Sequence, residues 1–506
     1  MTARSPDIKM QMTVDLLKHP RSAAEDLGLP MPDSPHAVSA CLPRWCDNVA
    51  YEEGDQETIR RLQAAYPRFC LHPTVRALGE SVFGSTEDVG LVFASRQSAE
   101  RAAAYAVWRG AREARIVELP DQNACGVRVG PDDYAKLREY WQHAGENISS
   151  RSAELILQRQ PVSVSQTTER REVRARLAAC HDVPPELVRL HLSGMSAMAA
   201  VYRAVRKLKP HGACIQFGFP YVDTLKILER FPPATHRFFA AGSTNDLASL
   251  EQLAAGGDVA AVFCETPTNP LLRCPDLPKL REIADRHGIL LIVDDTLAAC
   301  LNLDVLRYAD VLVTSLTKYF SGYGDVIAGS VLVNPESPAN ESLSQALESD
   351  FEELLSDVDV DVLEQNSRDM RERVHQMNIN ATMLTERLQA HPAVADVFHP
   401  SLGPDQHYEN LRRDDGGYGG LLSIVLHDPE RTTESVFDHL NVCKGPNLGT
   451  NFTLCCPFTI LAHYHELDAV EQHGVSRWLI RVSVGVEPFE DLWSRFEQAL
   501  ARADLS

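Results

Sequence analysis

Short apolar runs, each followed by a few polar residues, recur through the middle of the chain and alternate with stretches of helical spacing. Residues 259–264, 288–294 and 311–316 are such runs. Residues 277–284 instead carry an apolar stripe typical of an amphipathic helix, which Gly288 would end. Because strands that alternate with helices need crossover connections, this pattern predicts an α/β fold with a mostly parallel central sheet.

The run 311–316 carries hydroxyls at Thr314 and Ser315, and Thr317 and a single lysine, Lys318, follow it before a glycine-containing turn. Burial disfavours a charged ammonium and lowers the pKa of a lysine toward the neutral, nucleophilic amine. A neutral amine can hold a carbonyl cofactor as a Schiff base. The plainer interpretation is a lysine at a strand end that reaches water.

Polar residues also follow the other predicted strands. Asp294 ends the run 288–294, at the position where open α/β sheets bind ligands, and a carboxylate there could pair with a ring nitrogen. The segment 193–195 (Ser-Gly-Met) opens an alanine-rich helical stretch that runs to about residue 208. The free amides of its first turn would form a phosphate site.

Six motifs, taken together, resemble the Cys/Met-metabolism family of pyridoxal-phosphate enzymes, which has the aminotransferase-like fold type I. They are 193–195 (Ser-Gly-Met), Tyr221 with Thr224, 265–270 (Glu-Thr-Pro-Thr-Asn-Pro), 294–296 (Asp-Asp-Thr), 315–319 (Ser-Leu-Thr-Lys-Tyr) and 481–487 (Arg-Val-Ser-Val-Gly-Val-Glu). Segments 35–45, 66–69 and 140–151 are similar to the N-terminal extension of fungal cystathionine γ-synthase-like proteins. The resemblance therefore covers nearly the whole chain.

The resemblance implies that the cofactor is pyridoxal 5'-phosphate, and it assigns roles to individual residues. Lys318 would hold the cofactor and shuttle protons, Asp294 would keep the ring nitrogen charged, and Tyr221 would stack on the ring and serve as an acid. The other implied cofactor contacts are Gly194, Met195, Asn269, Thr296, Ser315, Thr317 and, from a partner subunit, Arg151. The implied substrate contacts are Arg481, for the α-carboxylate, with Glu265, Tyr323 and Asn447. No metal ligands are predicted.

Three of these assignments have plainer alternatives. Arg151 could form a surface ion pair, Tyr221 could be an interior aromatic, and Arg481 could be a structural arginine of a strand. The chain also departs from the family pattern. Asp295 replaces the usual asparagine, Tyr323-Gly324 replaces His-Ser, Asn447 replaces a serine, and 364–370 replaces an Arg-Gly-Leu-Lys-Thr-Leu helix. Because the predicted cofactor contacts are kept, these departures put the substrate in question.

The activity that the resemblance implies is γ-replacement on an O-acyl-L-homoserine, such as the O-acetyl ester, through a vinylglycine ketimine. The incoming nucleophile would be a carbon nucleophile such as a β-keto acid enolate, in secondary metabolism, or the thiol of cysteine, giving cystathionine. A γ- or β-lyase acting on sulfur amino acids is the alternative enzyme. A catalytically silent binding or regulatory relative is the more remote alternative.

Length and motif positions predict three parts in the 506-residue chain. These are an N-terminal extension with the partner-site segment (1–180), a large cofactor-binding domain (181–385) and a smaller C-terminal α/β domain (386–506). Since Arg151 would serve a partner, the resemblance implies a homodimer or homotetramer with shared active sites.

The composition indicates where such an enzyme would work. A formal net charge of −21 excludes a nucleic-acid or anionic-membrane surface. No apolar run reaches the length of a membrane span, and the first residues lack the apolar core of a signal peptide. We therefore expect a cytoplasmic enzyme of small amino-acid substrates, with all 12 cysteines as free thiols.

Overall fold

The computed structural model describes residues 14–64, 70–84 and 89–503, and its helices and strands follow the apolar pattern of the chain. Residues 66–69 and the N-terminal segment in which no signal peptide is predicted lie outside the described residues. The strands are β1 Pro30–Met31, β2 Ser39–Ala40, β3 Val89–Phe93, β4 Ala114–Glu118, β5 Cys125–Val129, β6 Val188–His191, β7 Ala213–Phe217, β8 His236–Phe239, β9 Val259–Glu265, β10 Leu290–Asp294, β11 Val311–Ser315, β12 Gly329–Val333, β13 Val394–Phe398, β14 Leu421–Leu426, β15 Cys443–Lys444, β16 Leu454–Pro457 and β17 Ile480–Ser483. The helices are α1 Trp45–Glu52, α2 Gln56–Arg61, α3 Pro73–Phe83, α4 Arg96–Trp108, α5 Tyr134–Ala144, α6 Ser150–Leu157, α7 Thr168–His181, α8 Gly194–Leu208, α9 Val222–Arg230, α10 Thr244–Ala255, α11 Leu277–His287, α12 Asn340–Glu348, α13 Asp357–Ser367, α14 Met370–Gln389, α15 Pro429–His439, α16 Phe458–His463, α17 Leu467–Glu471 and α18 Phe489–Leu500.

The central sheet has seven strands in the order β6-β12-β11-β10-β9-β7-β8. Strand β12 is antiparallel to both of its neighbours, and the other pairs are parallel. Strands β9, β10 and β11 are buried along almost their whole length, as expected for strands that helices cover on both faces. The predicted α/β architecture with a mostly parallel central sheet is therefore confirmed.

The register of the parallel strands brings polar residues to one edge of this sheet. Asp294, the last residue of β10, pairs directly with Glu265, the last residue of β9. On the other side, the Ser315 amide at the end of β11 donates to Thr296 Oγ1 at 2.8 Å. These carboxyl ends form the floor of the site described below.

The N-terminal part of the chain packs on the central domain and shares a core with it. Its three-stranded antiparallel sheet, β3-β5-β4, carries Phe93 into the same buried cluster as Tyr140 of α5, Val201 of α8 and Phe231 after α9. The ring centroids of Tyr140 and Phe231 lie 5.6 Å apart. Because apolar surface is buried across this junction, the N-terminal part is fixed relative to the cofactor-binding part.

A five-stranded sheet of order β13-β14-β17-β16-β15 forms the C-terminal part and supplies Arg481 from β17. Helix α14 spans Met370–Gln389, so the predicted boundary at 385/386 falls inside one continuous helix. The boundary at 180/181 falls at the last turn of α7. The central sheet and the C-terminal sheet are thus connected through one continuous helix.

All 12 cysteines are free thiols, as predicted. Among the described residues, none of the helices is both long and apolar enough to cross a membrane.

Candidate active site

A cavity opens at the carboxyl ends of the central strands, and most of the predicted site residues line it. Those residues are Gly194, Met195, Tyr221, Glu265, Asn269, Asp294, Thr296, Ser315, Thr317, Lys318 and Arg481. They come from separate loops and from both the central and the C-terminal sheets. The fold therefore assembles one site from motifs that are nearly 290 residues apart in sequence (194 to 481).

Lys318 lies in the turn after β11, with only 7% of its surface exposed. Its Nζ donates a hydrogen bond to Asn447 Oδ1 at 2.6 Å. The Nδ2 atom of Asn447 is buried and has no hydrogen-bond partner within the described part of the chain. Lys318 thus lines the cavity with its amine held by the side chain of Asn447, which does not itself line the cavity.

The first turn of α8 forms one end of the cavity. The Ser193 side chain accepts from the Ser196 amide, which leaves the amides of Gly194 and Met195 without an intrahelical partner. A Cβ atom at position 194 would lie 2.7 Å from the Cβ of Ser315, so only glycine permits this close approach of helix and strand end. Free amides at a helix N-terminus are suited to a phosphate group.

Thr317 lines the same end of the cavity, but its hydroxyl is already engaged. The Thr317 Oγ1 accepts from the Ala328 amide at 3.1 Å and lies 3.3 Å from the Ala328 carbonyl oxygen. In this structure the residue therefore ties the lysine turn to the segment before β12. Its predicted contact with phosphate stays a prediction.

Two carboxyl groups, those of the buried Glu265 and the half-buried Asp294, also line the cavity. The Asp294 Oδ1 accepts from the Thr296 amide at 3.0 Å, and Glu265 Oε2 accepts from the Tyr221 amide at 2.7 Å. Burial raises the pKa of Asp294, and burial together with the nearby Asp294 raises the pKa of Glu265 well above its ordinary value. A cationic ring nitrogen beside Asp294 would favour its ionised form.

The donor set as a whole fits pyridoxal phosphate. The helix amides suit its phosphate, Lys318 suits its aldehyde carbon, and Asp294 suits its ring nitrogen. Tyr221 lines the same cavity, and a ring could stack on its side chain.

Arg481 approaches the same space from the C-terminal sheet. Its Nη2 donates to the carbonyl oxygens of Pro446 and Asn447, at 2.8 and 3.3 Å, and its Nη1 lies 3.4 Å from Asn269 Oδ1. The guanidinium carbon also lies 5.0 Å from the ring centroid of Phe458. These contacts orient a buried cation in the cavity wall, where it can fork onto a carboxylate.

Two predicted residues, Tyr323 and Arg151, lie away from the cavity, and a third, Asn447, does not line it and meets it only through its hydrogen bond with Lys318. The Tyr323 hydroxyl donates to Asp369 Oδ2 at 2.9 Å, and Tyr323 is not among the residues that line the cavity. Arg151 donates to the carbonyl oxygen of Asp325 at 2.7 Å, and its Nη1 lies 3.4 Å from Asp359 Oδ1. Neither residue therefore contacts the cavity of its own chain.

Several lining residues were not predicted from the sequence. Gln142 reaches the cavity from α5 of the N-terminal part, Asp223 from α9, and Phe458 and Leu461 from α16. The Asp223 Oδ1 lies 2.9 Å from the buried His143 Nδ1, so the N-terminal part also helps to place a cavity carboxylate. No local motif marks these residues, because they meet only after the three parts of the chain pack together.

Comparison with known proteins agrees with this geometry. A family model described as "Cys/Met metabolism PLP-dependent enzyme" matches residues 164–501. The L-2-amino-4-chloropent-4-enoate dechlorinase/desaturase of Streptantibioticus cattleyicolor is 36% identical, over 93% of this chain and 97% of its own. The cystathionine gamma-synthase of Neurospora crassa is 32% identical, over 95% and 98% of the two chains.

A solved structure shows the same fold. The cystathionine gamma synthase of Xanthomonas oryzae pv. oryzae superposes with a TM-score of 0.60 at 24% identity, covering 67% of this chain and 87% of its own. The fold predicted from the motifs is therefore confirmed, and the cofactor of the family is pyridoxal phosphate. This chain belongs to the Cys/Met-metabolism family of pyridoxal-phosphate-dependent enzymes.

Proposed function

We propose that the protein catalyses γ-replacement on an O-acyl-L-homoserine, with a carbon nucleophile such as a β-keto acid enolate as acceptor. One observation carries the proposal: Lys318, Asp294 and Arg481, on three separate elements, converge on one cavity. The full-length similarity to a cystathionine gamma-synthase supports the same class of reaction.

The bound cofactor would withdraw electrons from the α-carbon of the substrate, and the residues of this chain would direct that effect. Arg481 would hold the α-carboxylate through its guanidinium, which fixes the α-carbon near Lys318. The Lys318 amine would remove the α-proton and return a proton later, as a general base and acid. Tyr221 would protonate the leaving ester oxygen, since its side chain lines the cavity beside these groups.

The remaining wall of the cavity supports a bulky, partly apolar acceptor. Ile327, Leu448, Phe458 and Leu461 all line it. Gln142 lines it as well and carries a side-chain amide that can donate a hydrogen bond, whereas Asn447 meets the cavity only through its contact with Lys318. An enolate carries its charge on an oxygen that could accept from such a donor. We therefore favour a carbon nucleophile over the cysteine thiol.

Acceptor competition tests this function. We expect purified protein supplied with O-acetylhomoserine and acetoacetate to form a carbon–carbon-linked product, identified by its mass. Cysteine, homocysteine and sulfide, supplied separately, should give less product, because a pocket selects the nucleophile it can orient. Asn447→Ser, which installs the residue usual in the family, should shift the product ratio toward cystathionine.

Two results would contradict the proposal. Efficient cystathionine formation with no carbon–carbon product would make cysteine the acceptor. Release of 2-oxobutanoate at the same rate with every acceptor would show a lyase instead. Lys318→Ala is the control, since any product that forms with this variant does not depend on the Lys318 amine.

One comparison favours γ-elimination as a second candidate. The relative from Streptantibioticus cattleyicolor is named for a substrate that carries chlorine on C4, which is the γ-carbon of the amino acid. If this protein acts similarly, a γ-halogenated amino acid should release halide in the absence of any acceptor. Halide release that exceeds acyl release from O-acetylhomoserine under the same conditions would favour this candidate.

We also propose an active homodimer in which Arg151 serves the partner's phosphate site. Arg151 does not line the cavity of its own chain, and its contacts hold it beside Asp325, in the segment that follows Lys318. Mixing inactive Lys318→Ala chains with inactive Arg151→Ala chains should restore activity. In each hybrid dimer one of the two sites would keep both residues, so at most about half of the sites in the hybrids would be active.

The matched control mixes Lys318→Ala with Asp294→Asn. Each change damages the cavity of the chain that carries it, so both sites of a hybrid dimer would be defective. No activity should therefore return. If the Arg151 mixture also stays inactive while labelled subunits demonstrably exchange, sharing of the site by Arg151 is ruled out.

A further inference from the structure

A second cluster of reactive side chains lies next to the catalytic cavity but does not line it. His181 is the last residue of α7, Asp295 follows the end of β10, and Cys300 lies in the turn after it. One ligand atom from each residue lies within 4.8 Å of the other two. The His181 Nε2 and the Asp295 Oδ2 are 3.6 Å apart.

The three groups are buried, and two of their polar atoms are unpaired. Asp295 and Cys300 are each 1% exposed, and the His181 side chain is 5% exposed. Within the described ranges, neither Asp295 Oδ2 nor His181 Nδ1 has a hydrogen-bond partner. A separation of 3.6 Å is too long for a hydrogen bond between histidine and carboxylate. Because an unpaired buried carboxylate oxygen is costly, Asp295 Oδ2 favours a bound cation on the side that faces His181 Nε2. A cation there would not contact His181 Nδ1, which is the other nitrogen of the ring.

We propose that His181, Asp295 and Cys300 bind a divalent cation of the zinc class. An imidazole nitrogen, a thiolate sulfur and a carboxylate oxygen are the donors that zinc takes in proteins. Tetrahedral zinc with bonds of about 2.0 to 2.3 Å keeps its ligand atoms about 3.3 to 3.8 Å apart, which matches the observed pair. A water molecule would take the fourth position.

The surroundings of the cluster suit such an ion. The Thr314 hydroxyl donates to Asp295 Oδ1, which orients the other oxygen, Oδ2, toward His181. On binding, the Cys300 thiol would release its proton to solvent, so one thiolate and one carboxylate would balance the two charges of the cation. Arg413 acts electrostatically on all three groups, but its Nε donates to the Leu303 carbonyl oxygen.

The site would have a structural role toward the proposed cofactor site. Asp295 adjoins Asp294, so a cation held between Asp295 and His181 would tie the end of β10 to the end of α7. The ion would thereby fix the backbone that carries the ring-nitrogen partner. The sequence alone does not indicate this site, because its ligands belong to no recognised spacing and meet only through the fold.

Elemental analysis of the holoenzyme tests the proposal. We expect close to one zinc per chain in protein purified without added metal and dialysed against metal-free buffer, because the three protein ligands are buried. Where the ion has been lost, added Co²⁺ should give the visible d–d bands of a tetrahedral cobalt centre. The conservative variants Asp295→Asn and Cys300→Ser should each reduce metal content several-fold.

Cys214→Ser is the matched control, because it removes a buried strand thiol away from the cluster and should leave metal content unchanged. Thermal unfolding of each variant, with and without zinc, shows whether the folded state is retained. Wild-type protein that contains no metal, takes up none and shows no shift in Tm with zinc would overturn the proposal. Equal metal content in the wild type and both ligand variants would overturn it as well.

Discussion

Replacing Lys318 with alanine is expected to lower kcat/KM by about 10³-fold or more, because the change removes both the covalent anchor and the proton-transfer group. In the wild type, borohydride reduction followed by peptide mapping should place the cofactor adduct on Lys318. The variant should still bind some cofactor through the amides of Gly194 and Met195, since those contacts do not depend on the lysine.

Two controls separate chemistry from folding in this experiment. Lys318→Arg keeps a positive charge beside Asn447 but offers no usable amine, so it should be as inactive as the alanine variant. Removing the amine leaves Asn447 Oδ1 without its donor, which would cost about 1–3 kcal/mol of unfolding free energy and can be measured directly. An adduct on another lysine, or a variant with near wild-type turnover, would refute the assignment.

The second large effect is expected from Asp294→Asn. The substitution keeps the shape of the side chain and the hydrogen bond from the Thr296 amide, but it removes the charge that would hold the ring nitrogen protonated. We expect kcat to fall by about 10²- to 10³-fold, the range found when one preorganised electrostatic contact is lost. Stopped-flow measurement of the α-proton exchange step would locate the defect in chemistry.

Asp294→Glu is the matched variant, since it retains the carboxylate and should recover part of the lost activity. Because burial raises the pKa of Asp294, the wild-type protein without cofactor should take up a proton at this site more readily than the cofactor-loaded protein. Full activity in Asp294→Asn would show that catalysis does not depend on a carboxylate beside the ring nitrogen, and would contradict the role assigned to Asp294.

The sequence by itself predicted most of the residues that line one side of the candidate cofactor site. Most of the predicted cofactor residues lie at the end of a strand, shortly after one or at the start of a helix, such as Asp294 at the end of β10 and Gly194 at the start of α8. In a parallel sheet the carboxyl ends of neighbouring strands must meet at one edge, which groups Asp294 and Lys318, whereas the resemblance to the family supplied most of the other residues. For the same reason the parallel order of the sheet followed from the alternation of apolar runs and helical stripes.

Only the tertiary structure decided which residues surround the substrate space. Gln142, Phe458 and Leu461 reach the cavity from the N-terminal and C-terminal parts, whereas Tyr323, expected there, turns to Asp369. The positions of these side chains depend on how the N-terminal, central and C-terminal parts of the chain pack together, and no local periodicity in the sequence encodes that packing. The cluster of His181, Asp295 and Cys300 arises in the same way, from residues whose approach depends on the docking of α7 against the end of β10.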